Sequence, residues 1–362
     1  MFNKNLILLL GAQIFSFTAG AITIFLSGII GSSMIVGKSF ATLPAALMII
    51  GTALGSIFAS YIMSIYGRRF GFMFAAVLTS ASSLIASYSV HENLFLLYCV
   101  SNFFIGTGLA FVAQYRFAAA ESVEKNYIPS AISYILFANM IGALIGPSIA
   151  TISKDIISNS LYTGSYIFLS ILTIAPFFIF IFYTNEEKAI KKENNLYGNR
   201  TYLELLFQPK FIQAVVASGL AYCIMSFLMT ATPISMHMHN NISIGKTGIV
   251  IIFHLVGMFV PSLFTGSLIK RFGHNRIMYS GVIILFFSII INFVDQNFYN
   301  FFISLILLGL GWNFLFISGS SLLIISYRPE EKFRAQGLND FMVFGTQAIG
   351  ALSAGFFLNI FG

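Results

Sequence analysis

Apolar residues follow one another along this chain in long stretches, broken by short polar clusters, rather than alternating with polar ones. A helix needs about 20 apolar residues to cross the hydrocarbon core of a bilayer. Eleven stretches approach or exceed that length: 6–30, 41–64, 70–90, 93–117, 128–152, 163–183, 211–235, 247–269, 276–294, 299–325 and 336–360. Backbone polar groups have no water to bond in hydrocarbon, so runs this long must bond internally as helices. The pattern predicts an all-α polytopic membrane protein. The polar stretch from Thr184 to Lys210 divides it into a six-span N-terminal half (1–183), a linker (184–210) and a five-span C-terminal half (211–362). Near the start, Lys4, an apolar run and the small-residue patch Ala19-Gly20-Ala21 have the outline of a cleavable leader. The run continues to Ile30, so the expectation is an uncleaved first span.

Composition sharpens the class. The 362 residues are 57% hydrophobic and 9% charged, whereas soluble domains carry roughly 25% charged residues. That excludes an ordinary cytosolic enzyme, a disulfide scaffold and a disordered chain. Cys99 and Cys223 lie inside apolar stretches and read as free buried thiols. The net charge of +7 implies no nucleic-acid partner here, because the basic residues fall between spans. When loops are assigned to alternate sides, 16 of the 19 Lys and Arg residues fall on one side, leaving Lys38, Lys154 and Lys246 on the other. The positive-inside rule then places the N-terminus and the linker in the cytoplasm of a cell inner-membrane protein.

The halves repeat one another. Gly67-Arg68-Arg69 follows the second span and Gly273-His274-Asn275-Arg276 follows the eighth, an offset of 206. Glu124-Lys125 recurs as Glu331-Lys332 at 207, and Ile141-Gly-Ala-Leu144 as Ile349-Gly-Ala-Leu352 at 208. Three matches in order at a nearly constant offset indicate a duplicated unit. Glycine permits the tight reversal, and the arginines beside it anchor the turn at the headgroups.

At these residues the sequence resembles the major facilitator superfamily of secondary transporters. The family's loop signature reads Gly-x-x-x-Asp-Arg/Lys-x-Gly-Arg/Lys-Arg/Lys. The first copy keeps Gly67, Arg68 and Arg69, with Ser60 and Ser64 replacing the first Gly and the Asp. The second keeps Gly266, Arg271, Gly273 and Arg276, with Lys270 in the Asp position. Both lack the acid that in the family latches the cytoplasmic gate. In the fifth span, Gly142, Gly146 and Pro147 resemble the Gly-x-x-x-Gly-Pro signature of exporter branches, with Ala150 and Thr151 in place of the final glycines. Asn102, four residues before Gly106, stands where another antiporter signature has Arg. The stretch Met225 to His239 looks like a branch of bacterial permeases whose cargo is mostly unassigned. The resemblance implies two pseudo-symmetric six-helix halves, here with the twelfth helix missing, rocking about a midplane site. It also implies that the second and eleventh spans meet, as do the fifth and eighth, and that spans one, four, seven and ten line the cavity.

On that frame the cavity candidates are Gln13, Gln114, Tyr115, Tyr222, Thr230, Trp312 and Asn313. An aromatic wall with few polar groups suits a small, partly apolar organic solute. Charged groups at membrane depth are expensive and mark pathways or gates. Arg116, Glu121, His254 and Asp340 are therefore coupling or gate candidates, with Arg116 expected to hold an anionic group or to pair with Asp340 or Glu121, and His254 read as a neutral, hydrogen-bonded ring. The pair His237 and His239 has the wrong spacing for one helix face and lacks companion ligands, so no metal site and no cofactor is expected. No phosphate-binding glycine loop and no catalytic motif occurs, so the chain reads as neither pump nor enzyme. The expected function is secondary transport of a small-molecule solute across the lipid bilayer by a monomer working through alternating access, with protons as candidate coupling ion. Export of drug-like compounds and uptake of a vitamin or aromatic metabolite stay open. A non-transporting fragment or membrane sensor is the reading from another class.

Overall fold

A computed structural model describes residues 2–34, 40–157, 160–184, 200–236 and 240–361. Among them there are helices and no strands. Most of the linker, Lys38 and the pair His237 and His239 lie outside the described residues. In chain order the helices are α1 (Lys4–Met34), α2 (Leu43–His91), α3 (Phe95–Ala113), α4 (Tyr115–Glu121), α5 (Ile128–Ile152), α6 (Thr163–Phe180), α7 (Tyr202–Leu206), α8 (Pro209–Ile234), α9 (Ile244–Phe259), α10 (Ser262–Phe272), α11 (His274–Val294), α12 (Phe298–Ile324) and α13 (Lys332–Phe361). Among the described residues nine segments are long and apolar enough to cross a membrane, α2 counted once.

At 49 residues, α2 would run about 74 Å if straight, more than twice the hydrocarbon thickness. It breaks at Gly67, whose φ of 79° and ψ of 166° lie outside the helical region. The break between α10 and α11 falls on Gly273, with φ 83° and ψ 161°. The two glycines matched by the repeat thus share one backbone conformation, in the positive-φ region that side chains with a Cβ resist. The likeness continues downstream, where short 3-10 turns, Lys125–Tyr127 and Pro329–Glu331, precede α5 and α13. Proline makes another break: Pro261 separates α9 from α10.

Depth of burial sorts the helices. On α11, Tyr279, Phe286 and Phe293 are among the most exposed large residues, an apolar face for lipid. On α12, Trp312, Leu315, Phe316 and Ile317 are buried, so this helix stands in the centre. Between the halves, α2 meets α13 and α5 meets α10, as the resemblance implies. Glycines spaced four apart on α2 and α5, and one on α13, give close packing within each half. Gly51 and Gly55 lie against Phe103 and Thr107 of α3, Gly142 and Gly146 against α1, and Gly350 against Cys223 of α8. The contact of α13 with α2 is made elsewhere, where Gly337 lies on Ser60 and Ser56.

Candidate functional site

Hydrogen bonds and ion pairs form three levels toward the end of the bundle that carries the Gly67 and Gly273 turns, and the two deeper ones join the halves. This end is called the basic end below. The outermost level ties the linker to the C-terminal half. Both oxygens of the buried Glu331 carboxylate accept from the Arg200 guanidinium, with Nε at 2.7 Å. Arg200 N also donates to Oε1 (3.3 Å), Arg328 N to Oε2 (3.0 Å), and Arg334 Nη1 to the Arg200 carbonyl (2.8 Å). The bonds from Arg200 hold the Glu331 carboxyl down to about 2, well below the usual carboxylate range.

The second level is a network around the first turn. Arg68 is 4% exposed and grips Glu121 with two bonds, Nε to Oε2 at 2.9 Å and Nη2 to Oε1 at 2.6 Å. Gln336 of α13 closes the ring. Its Oε1 accepts from Arg68 (2.8 Å), and its Nε2 donates to Glu121 (2.8 Å) and to the Tyr327 hydroxyl (2.6 Å). Lys332 stands 3.8 Å from Glu121. The acid absent from the loop signature is thus replaced by one at the end of α4, while Ser64 bonds only its own helix, donating to the Tyr61 carbonyl. Arg69 turns outward and caps the carbonyls of Phe180 and Ile181. Lys270, in the corresponding Asp position of the second copy, lies 4.9 Å over the Tyr127 ring.

The third level lies deepest. At Gln114, with φ −75° and ψ −11° still in the right-handed region, α3 runs on into α4, whose Arg116 meets α12 and α13. Arg116 pairs with Asp340 rather than Glu121, and both are buried. Arg116 also donates to Ser320 (3.2 Å) and to the Ala113 carbonyl. The Asp340 carboxylate accepts further bonds from Gln114 and Asn339, each 2.8 Å. Arg116 sits over the rings of Phe117 (4.2 Å) and Phe316 (5.0 Å), which add cation–π attraction.

An aromatic cluster continues from this pair. Phe316 stacks on Trp312 at 4.9 Å, and Tyr222 meets Trp312, Phe316 and Phe344 at 5.2, 5.0 and 5.6 Å. Trp312 reaches Phe259 (6.1 Å), which meets Phe17 of α1 at 5.8 Å. The chain of rings therefore crosses from the C-terminal half to the N-terminal half. Within and beside it, Trp312 Nε1, Gln114 Oε1 and Asn339 Oδ1 are buried without a hydrogen-bond partner. Unpaired buried polar atoms are costly, so each is a ready contact for a ligand or water.

The other expected residues divide between this seam and the interiors of the halves. Gln13 donates to Asn139 of α5, and its Oε1 has no partner. Tyr115 is packed in the N-terminal half against Phe72 (4.6 Å) and Phe180 (5.2 Å). Asn313 pins the break at Pro261, donating to the Met258 carbonyl (2.8 Å) and Ser262 (2.6 Å) and accepting from Thr265 (2.7 Å). His254 Nδ1 bonds the Leu305 carbonyl at 2.8 Å, a role within the C-terminal half. Thr230 is exposed on α8, and Arg271 and Arg276 are exposed at the second turn. Sequence reasoning missed Phe316, one helical turn after Trp312, and the partnership of Arg200 with Glu331. The four-residue spacing was a signal for the first; nothing in the sequence pairs the second.

A family model described as Major Facilitator Superfamily matches residues 8–231 and 214–362. The chain is 33% identical over 357 residues to the riboflavin transporter RfnT of Brucella anthropi, covering 98% of this chain and 89% of that protein. It is 26% identical to the uncharacterized MFS-type transporter YdeG of Bacillus subtilis, covering 98% and 86%. Among solved structures it is similar to the human organic anion transporter MFSD10, with a TM-score of 0.75 at 13% identity over 97% of this chain and 92% of that one. It is also similar to the transporter FucP in its outward conformation, with a TM-score of 0.73 at 14% identity over 98% and 92%.

Proposed function

The chain belongs to the major facilitator superfamily, and from that premise we propose that it is an uptake carrier for a planar aromatic vitamin of the flavin class, working by alternating access. Its family and fold are those of transporters, not enzymes. The observation that carries the reading is the ring cluster of Tyr222, Trp312 and Phe316, set between unpaired polar atoms and a buried charge pair where the halves meet. Trp312 and Phe316 are buried in this closed arrangement; when the halves part, such rings offer faces on which a flat heterocycle stacks, and the orphan Trp312 N–H and Gln114 carbonyl offer one donor and one acceptor for its polar edge. The likeness to a riboflavin transporter supports this cargo class.

The basic end faces the cytoplasm in this reading, by the positive-inside rule. The two levels that cross between the halves then describe a carrier shut toward the cytoplasm. Opening inward must part Arg68 from Gln336 and Arg116 from Asp340. A buried carboxylate stripped of its cation is strongly destabilised, so Asp340 takes up a proton or a ligand donor as the halves separate. Solute binding drives the cycle only through unequal affinity for the two states.

The test is uptake of labelled riboflavin into proteoliposomes, with and without an inward proton gradient. Saturable uptake is expected, with competition by other flavins. Absence of both flux and flavin-induced thermal stabilisation overturns the cargo class. Trp312→Phe, which keeps a ring and removes the donor, is expected to weaken flavin binding about 5- to 10-fold, the size of one net hydrogen bond.

A further inference from the structure

Two amide side chains beside the ring cluster have their orientation fixed by a charge. The Asp340 carboxylate, paired with Arg116, only accepts hydrogen bonds, so Gln114 and Asn339 each turn an amide N–H toward it, at 2.8 Å. Their carbonyl oxygens are thereby turned away, and both are buried with no partner. One comes from each half, Gln114 from the junction of α3 and α4 and Asn339 from α13. The cation beside them is fully engaged, since Nε, Nη1 and Nη2 of Arg116 donate to Ser320, the Ala113 carbonyl and Asp340. Arg68, one level out, is held by Glu121 and Gln336. Both arginines buried among the described residues are thus committed, while two acceptors beside a carboxylate are free.

We propose that Asp340 is a positioning residue for solute selectivity: by holding both amides it makes the site acceptor-rich, so that the site takes an uncharged aromatic solute bearing hydrogen-bond donors and rejects the anionic form of that solute. This rests on the reading that the ring cluster holds the solute. A flavin with a free hydroxylated side chain brings O–H donors to the Gln114 and Asn339 carbonyls. Phosphorylation replaces the terminal donor with an anion, which meets two carbonyl oxygens and Asp340 where little water screens the repulsion. Each carbonyl that a wrong solute leaves unpaired stays a buried orphan, which sharpens the discrimination. The hold also depends on state. Gln114 and Asp340 lie in different halves, so parting them frees the Gln114 amide to turn, whereas Asn339 keeps its neighbour on α13. The site therefore reads its solute most strictly while the basic end is closed and loosens as that end opens, which supplies the unequal affinity a carrier needs.

Trp312 is the single tryptophan of the chain, so its emission reports on this site alone. The test titrates the full chain in nanodiscs with riboflavin and with riboflavin 5′-phosphate, and separately with the quenchers acrylamide and iodide at constant ionic strength. Riboflavin is expected to bind about 10-fold tighter than its phosphate, the scale of a like-charge mismatch in a partly desolvated site. Asp340→Asn releases both amides and leaves the Arg116 cation unmatched, so the ratio is expected to fall to about 1 or to invert. Asn339→Leu is expected to weaken riboflavin about 5-fold, one lost hydrogen bond, without weakening the phosphate. Should Asp340→Asn not fold, Asn339→Leu carries the same comparison. A packing role for Asp340 would weaken both ligands alike and keep the ratio. Equal or tighter binding of the phosphate by the parent, or a ratio that neither variant changes, overturns the proposal. If neither flavin binds, the cargo reading fails and the quenchers decide. Easier access of acrylamide than iodide to Trp312 in the parent, with the gap closing in either variant, upholds the selectivity; equal access, or a gap that neither variant changes, overturns it.

Discussion

The two glycine turns are the same piece of backbone put to different use. Gly67 and Gly273 differ by only a few degrees in φ and ψ. After the first, Arg68 turns inward, is buried, and grips Glu121 and Gln336. Around the second, Arg271 and Arg276 are exposed and belong to no ion pair described. At the 3-10 turns before α5 and α13 the asymmetry reverses. Glu124 beside the first 3-10 turn is exposed, whereas Glu331 in the second is buried and bound by Arg200. Duplication supplied a common scaffold, and each copy carries its polar network at a different rung. The gate between the halves therefore rests on the first turn, while the second copy's buried carboxylate holds the linker.

Removing the charge at each turn breaks this comparison most directly. Arg68→Ala leaves the solvent-reachable Glu121 with Lys332 and Gln336 and is expected to destabilise the closed state by about 2 kcal/mol, the scale for losing hydrogen bonds to a charged group. Arg271→Ala is expected to stay within about 0.5 kcal/mol of the parent, as exposed substitutions do. Thermal unfolding of both variants in one detergent, together with transport, checks the contrast. Equal losses would mean that the second turn also carries load.

The turns show what could be read from sequence and what could not. The helices were legible because apolar runs in a membrane have one backbone solution. The Gly67–Gly273 match was legible because a turn with positive φ leaves a glycine at a fixed place in each copy. The pairing of Arg116 with Asp340 was named as one of three alternatives, beside Glu121 and an anionic group of the cargo, since charges at membrane depth seek partners. Which alternative held depended on which helix of the other half covers that face of α4, and the sequence carries no signal for it. Tyr115 and Asn313 read as cavity-facing residues yet spend their contacts inside their own halves. Periodicity gives a helix face but not which neighbour covers it.

A smaller effect sharpens the contrast between conformation and charge. Ala at position 67 or 273 must adopt a φ that costs about 1–2 kcal/mol. Gly67→Ala and Gly273→Ala should therefore lose similar stability. They should differ in transport, because position 67 aims Arg68 at the gate while the exposed second turn aims nothing inward. A transport defect in Gly273→Ala as deep as in Gly67→Ala would place a function at the second turn.

The smallest expected effect concerns the strap at the second 3-10 turn, and its sign follows from Glu331. The folded carboxyl titrates near 2, below its ordinary 4.5, because Arg200 and two backbone N–H groups favour the ionised form. A depressed carboxylate contributes its full stability above the unfolded value and loses it as pH falls toward the folded value. From pH 8 down to about 5 the strap's contribution should thus be flat, and it should fade below about 4. Glu331→Gln keeps the shape and removes the charge, so its melting temperature should lie a few degrees below the parent at pH 7 and converge on it toward pH 3. At position 124, whose glutamate is exposed, the same substitution should leave the melting temperature unchanged at every pH. If Glu331→Gln stays below the parent by the same margin at pH 3, the strap is held by shape and hydrogen bonds alone. The second rung would then differ from the first in packing rather than in charge.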